Sequence, residues 1–124
     1  MNLLIVDDSL VVRNAVARGA VRLFGDPLLA ADGQQAVELF RRHRPELVTM
    51  DLTMPHLDGL GAISAILELE PVTSILVISA LNSQAIALEA IQRGACGFLT
   101  KPFTEPEVRH ALEQLVTHAH EHRR

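Results

Sequence analysis

The chain has 124 residues, 48% of them apolar, with no Trp, no Tyr, four Phe and a formal net charge of −4. That length suits one domain with an aliphatic core, and the acidic balance with so few rings argues against direct nucleic-acid binding, which favours basic faces and stacking aromatics. The single Cys96 cannot close an internal disulfide, no apolar run reaches the ~20 residues of a membrane span, and the start Met1-Asn2-Leu3-Leu4-Ile5-Val6 lacks the basic flank of a signal peptide, so a cytoplasmic protein with no membrane contact is expected.

Leu3 to Val6 is a continuous apolar run and reads as a buried strand, ending on the acidic pair Asp7-Asp8. Ser9 is placed to cap a helix to about Phe24, with Val12, Val16, Gly19 and Leu23 on its inner face. Gly19 costs that helix about 1 kcal/mol relative to Ala, so close packing is its expected reason. Pro27 to Ala30 is a short second strand; proline lacks a ladder donor, which places it at a sheet edge. Asp32-Gly33 is turn chemistry, followed by a helix from Gln34 to about Arg42 with Ala36, Val37 and Phe40 inward. The third strand, Glu46-Leu47-Val48-Thr49-Met50-Asp51, ends on an aspartate. Met54-Pro55 and Asp58-Gly59 punctuate a loop, and Leu60, Ile63 and Leu67 mark a third helix that Pro71 ends.

Ile75 to Ile78 is the fourth strand, with Ser79 just past it. A fourth helix runs from about Ser83 to Arg93 with Gly94 as its stop. Cys96 to Thr100 is the fifth strand, with Cys96 as buried filler and Lys101 following. Thr104-Glu105-Pro106-Glu107 is a capping-box pattern opening a last helix to about His118, with Val108, Leu112 and Leu115 inward. His118 and His122 have a spacing that can chelate metal, but with no carboxylate or Cys to complete a site the tail reads as a frayed polar helix end. The β-α alternation, repeated along the whole chain with right-handed crossovers, predicts an α/β fold: one domain over residues 1–124 with a parallel, doubly wound sheet flanked by helices.

Open α/β sheets bind ligands outside the carboxyl ends of their strands, and Asp7, Asp8, Asp51, Ser79 and Lys101 all stand at such ends. Three carboxylates brought together repel unless a cation lies among them, and Mg2+ takes carboxylate oxygens and retained waters. An acidic pair alone is usually a helix start favouring negative charge; Asp51 and Lys101 at matching strand ends favour metal and a phosphoryl group accepted by Asp51. Lys101 otherwise reads as a surface salt bridge worth at most about 1 kcal/mol, and Ser79 taken alone as an ordinary strand-end serine.

Asp7-Asp8, the stretch Asp51-Leu52-Thr53-Met54-Pro55-His56-Leu57-Asp58-Gly59, Ser79-Ala80 and Lys101-Pro102-Phe103 resemble, in order and spacing, the receiver domain of two-component response regulators, over Leu3 to about Val116. The resemblance implies a flavodoxin-like strand order 2-1-3-4-5 and a cis peptide between Lys101 and Pro102. It implies phosphorylation of Asp51 by a partner histidine kinase, and Mg2+ held by Asp7, Asp8, Asp51 and the backbone carbonyl of Thr53. Asp51 would be the nucleophile, with Lys101 and Ser79 meeting the phosphoryl oxygens. Ser79 and Phe98 would be the switch pair, Phe98 otherwise being a plain core residue. Val48-Thr49-Met50-Asp51, Thr53-Met54-Pro55 and Ser79-Ala80 running toward Gln84 are most similar to the chemotaxis type. Leu81 takes a position that tunes dephosphorylation in the family; leucine cannot orient water, which implies slow self-hydrolysis.

The fourth helix carries Ala85, Ile86, Ala87, Leu88, Ala90 and Ile91 with few charges, so it is either a buried or partner-binding element or a solvated face of small alanines. The resemblance implies a downstream target protein at the face of the fourth helix, fifth strand and fifth helix, and a monomer or weak homodimer using that face. The expected protein is thus a phospho-acceptor switch rather than an enzyme acting on external substrates. Its rivals are the receiver fragment of a longer transcriptional regulator, a phosphorelay intermediate, and a Mg2+-dependent aspartyl phosphohydrolase, for which no second general acid stands near Asp51.

Overall fold

A computed structural model of the chain describes residues 1–52, 58–80 and 84–122. Its strands are β1 (Leu3–Val6), β2 (Leu28–Ala30), β3 (Leu47–Asp51), β4 (Ser74–Ala80) and β5 (Gly97–Lys101). All neighbours are parallel, in the order β2-β1-β3-β4-β5. The helices are α1 (Leu10–Phe24), α2 (Gly33–His43), α3 (Gly59–Leu69), α4 (Gln84–Gln92) and α5 (Glu105–His122). This is the flavodoxin-like topology expected, with the proline-led strand at one edge.

Every residue of β1 and β3 is buried, as expected of central strands covered on both faces. The period of two divides the sheet's apolar side chains between two cores. Leu4, Val6, Val48, Met50, Ile75 and Val77 pack with residues of α2, α3 and α4. Leu3, Ile5, Leu47, Leu76 and Ile78 pack with Val16 and Ala20 of α1 and Val108, Leu112 and Leu115 of α5.

Side chains cap the helix starts. Ser9 Oγ accepts from the Val12 amide at 3.3 Å, Asp32 Oδ1 from Gln35 at 2.9 Å, and Asp58 Oδ1 from Gly61 at 2.7 Å. At α5 the capping box closes both ways: Thr104 N–H donates to Glu107 at 2.9 Å and Glu107 N–H to Thr104 Oγ1 at 3.2 Å. The Lys101–Pro102 peptide is cis.

Some boundaries and faces differ from the sequence reading. Leu23 is exposed, and Ala20 and Phe24 continue the inner stripe of α1 from Val12 and Val16, a strict four-residue stagger. In α3 the buried positions are Gly59, Ala62, Ile63 and Ile66, with Leu60 and Leu67 only half-buried. β4 extends to Ser74 and Ala80 because strands on both sides supply ladder partners. Cys96 lies just outside β5 and is only partly buried. The last helix does not fray at His118: Ala119 is buried beneath it and the helix runs to His122. The expected start of the fourth helix at Ser83 lies outside the described residues.

Gly19 lies where α1 crosses α5. A Cβ there would overlap Val108 Cγ1, with Val108 Cβ at 3.5 Å behind it. Valine in a helix has essentially one rotamer, so Val108 cannot turn aside cheaply. Gly19→Ala should therefore destabilise the fold by about 1–2 kcal/mol despite alanine's better helix propensity. In a Val108→Ala background the same change should become stabilising; urea unfolding of the four variants of the cycle measures the reversal. The capping hydrogen bonds hold the Glu107 carboxyl below its ordinary pKa. A depressed carboxyl contributes stability above its unfolded pKa and loses it as pH falls through the folded one. Glu107→Ala should then be less stable than wild type at neutral pH, with the gap closing in acid below the ordinary glutamate range, as read by unfolding midpoints across pH.

Candidate functional site

The site is a consequence of register. Val6 is level with Met50, so Asp7 and Asp51 follow side by side at the ends of β1 and β3. Asp51 is level with Ile78, one residue before Ser79, and Ala80 is level with Lys101. Asp7, Asp51 and Ser79 are 2%, 4% and 2% exposed, while Asp8 is open to solvent.

Asp7 is held from several directions. Its N–H donates to Ala30 O at 3.1 Å, its Oδ1 accepts from Ser9 N–H at 2.9 Å, and its carbonyl accepts from Arg13 Nη1 at 2.8 Å. Arg13 was not among the expected site residues. A cation in a helix's first turn runs against the macrodipole, and that oddity was the available signal.

Lys101 Nζ lies 3.0 Å from Asp7 Oδ2 and 3.6 Å from Asp51 Oδ1. Both carboxylates are buried, which sets this ammonium apart from an exposed surface salt bridge. It is nearer to Asp7 than to Asp51.

One carboxylate oxygen from each of Asp7, Asp8 and Asp51 falls within 4.8 Å of the others, the one such group of three among the described residues. Three carboxylates and one ammonium leave a formal charge of −2. Asp7 Oδ2 is buried without a directed hydrogen-bond donor, its partner being the Lys101 charge. Clustered hard oxygens, a charge deficit of two and this oxygen fit a divalent cation of the Mg2+ type. The fourth expected ligand, Thr53, lies outside the described residues, as does Leu81.

The helix after Asp51 starts almost on top of it. A Cβ at Gly59 would overlap the Asp51 carbonyl oxygen and stand 2.6 Å from Leu52 Cα. The Asp58-Gly59 pair is therefore a cap followed by the one residue that lets α3 abut the end of β3. Below Asp51 on the same strand, Thr49 is fully buried and its hydroxyl has no partner among the described residues.

Phe98 is 54% exposed, which removes the reading of a plain core ring. It lines an open groove with Leu99, His110, Ala111 and Gln114. On α4, Ala87 and Ala90 are buried while Ile86 and Leu88 are exposed, so this helix packs these small residues against the core and shows solvent large apolar side chains.

The family model for the response regulator receiver domain matches residues 3–113. The chemotaxis protein CheY of Thermotoga maritima is 36% identical over 116 residues, covering 90% of this chain and 94% of that protein. The chemotaxis protein CheY of Bacillus subtilis is 34% identical over 118 residues, covering 92% of this chain and 96% of that protein. Among solved structures, the receiver domain of NtrX from Brucella abortus superposes with a TM-score of 0.88 at 28% identity, covering 94% of this chain and 98% of that one. With its sheet order, its clustered strand-end aspartates and its lysine before a cis proline, the chain belongs to the receiver domain family of two-component response regulators.

Proposed function

We propose that the chain is a single receiver domain over residues 1–124 whose Asp51 accepts a phosphoryl group from a histidine kinase in the cytoplasm, and that the phosphorylated form binds a downstream protein in a chemotaxis-like response. The observation that carries this reading is the buried Asp7–Lys101–Asp51 contact beside exposed Asp8.

Asp8 and Asp51 would hold Mg2+ directly, Thr53 through its carbonyl and Asp7 through water, since Ser9 holds Asp7 Oδ1 and Lys101 pairs with Oδ2. Bound there, the ion supplies positive charge against the transferring phosphoryl oxygens. An Asp51 carboxylate oxygen attacks phosphorus in line. An O–P bond forms as the P–N bond to the donor histidine breaks, and the leaving imidazole nitrogen keeps the electron pair and takes a proton from water. Lys101 turns from its carboxylate partners toward a phosphoryl oxygen, and Ser79 donates its hydroxyl to another.

Two charge-assisted hydrogen bonds contribute roughly 3–6 kcal/mol. Reversing a two-state population needs about 5.5 kcal/mol, so Ser79 and Lys101 acting together reach the scale that one alone does not. The switch is read at Phe98, two residues before the Thr100 that pairs with Ser79, and at the target-binding face of α4, β5 and α5, where Ile86, Leu88 and Phe98 are exposed. The same face would serve a weak homodimer. The CheY relatives, which are chemotaxis proteins, support the chemotaxis-like reading.

Intact mass after incubation with acetyl phosphate and Mg2+ should show one phosphoryl adduct, absent from Asp51→Asn and without Mg2+. An unreacted wild type sinks the reading, and an equal adduct on Asp51→Asn moves it to another residue. Mg2+ at 100 times its Kd should stabilise the wild-type fold by about 2.7 kcal/mol, and the increment should largely vanish in Asp8→Asn. Thermal unfolding with and without the ion measures it.

A further inference from the structure

We propose that Arg13 is a positioning residue for the metal: its guanidinium fixes the Asp7–Asp8 peptide, and with it the direction in which Asp8 presents its carboxylate. The inference rests on the reading of the aspartate cluster as a Mg2+-dependent phospho-acceptor site.

The three carboxylates are not held equally. Asp51 is the last residue of β3 and is paired with Ile78 of β4. Asp7 donates its N–H to Ala30 O, while its Oδ1 and Oδ2 meet Ser9 N–H and Lys101 Nζ. Asp8 is exposed, and its carboxylate has no hydrogen bond or ion pair among the described residues. Its direction is therefore set by the backbone that carries it.

That backbone belongs to neither neighbouring element. β1 ends at Val6 and α1 begins at Leu10. The Asp7 carbonyl and the Asp8 N–H share one planar peptide, so a bond to the carbonyl fixes the plane from which Asp8 departs. Arg13 Nη1 makes that bond at 2.8 Å. The Arg13 N–H donates to Ser9 O at 2.9 Å. One residue thus clamps the turn on either side of Asp8.

Charge alone gives no reason for an arginine here. A cation in the first turn of a helix opposes the macrodipole. Beside an acidic cluster it also lowers the attraction for a second cation. Arg13 nonetheless spends its donor on a carbonyl rather than a carboxylate. Holding a ligand ready reduces the freedom lost on binding. Losing a group that orients a metal ligand weakens metal binding by roughly 10–100-fold.

These opposed effects give the test a sign. Mg2+ titration, followed by backbone amide NMR shifts below each unfolding midpoint, compares wild type with Arg13→Met, Arg13→Gln and Arg18→Met. Arg18 is exposed on the same helix and removes the same charge without touching the Asp7–Asp8 peptide. Both Arg13 variants should raise the Mg2+ Kd about tenfold. Arg18→Met should leave it unchanged or lower it. With acetyl phosphate, the Mg2+ concentration giving half-maximal adduct should rise by the same factor in the Arg13 variants, with the rate at saturating Mg2+ retained. A merely structural Arg13 would lower the unfolding midpoint without moving Kd. Unchanged or tighter Mg2+ binding in the Arg13 variants overturns the proposal. So does an equal weakening in Arg18→Met, or a lower saturating rate at unchanged Mg2+ dependence. A wild type that binds Mg2+ but gains no adduct sinks the phospho-acceptor reading, while the role of Arg13 is still decided by Kd. A wild type that binds no Mg2+ overturns both.

Discussion

The site depends on the repulsion among three carboxylates brought together at the ends of β1 and β3, and on the single ammonium that opposes it. Lys101 reaches Asp7 and Asp51 from the last residue of β5, across β4. A lysine at that distance in space is useful only because the sheet is closed in register between them. The remaining formal charge of −2 is matched by one hard divalent ion. Lys101 is shared between two carboxylates, so the pairing at Asp51 and the pairing at Asp7 are linked through one side chain.

The surrounding backbone holds this unfavourable cluster in place. Ser9 caps α1 and its amide binds Asp7 Oδ1, so one residue starts the helix and orients the carboxylate. Asp58 caps α3, and Gly59 lets that helix rest on the Asp51 carbonyl. The positive ends of both helices therefore face the acidic end of the sheet, where the macrodipole offsets part of the repulsion.

Change at the site has a short path outward. Lys101 and Phe98 lie on the same edge strand, and Ser79 is level with Thr100 between them. Just past the far end of α4, Arg93 donates to Leu60 O at 3.3 Å and Ser64 Oγ at 3.2 Å, which ties that end to α3. Beyond it, Ile86 and Leu88 of α4 and Phe98 of β5 are exposed apolar side chains.

Much of this was legible in the sequence. Apolar runs ending in Asp7, Asp51, Ser79 and Lys101, alternating with helical periods, determine a parallel sheet with polar groups at one edge, because strand direction and the right-handed crossover leave little freedom. Local chemistry determined the caps and the edge strand, because hydroxyls, carboxylates and proline act on backbone within a few residues. Tertiary structure decided what depends on distance between elements: that Lys101 lies nearer Asp7 than Asp51, that Arg13 holds the Asp7 carbonyl, and that Gly19 yields to Val108. It also decided that Phe98 faces out and Leu23 is exposed, since an apolar residue's environment is set by its neighbours and not by its own hydrophobicity. The stacking of His118 on His122 belongs here as well: their spacing is written in the sequence, but the order of that turn comes from Ser74 and Ala119, which only the folded chain brings beneath it.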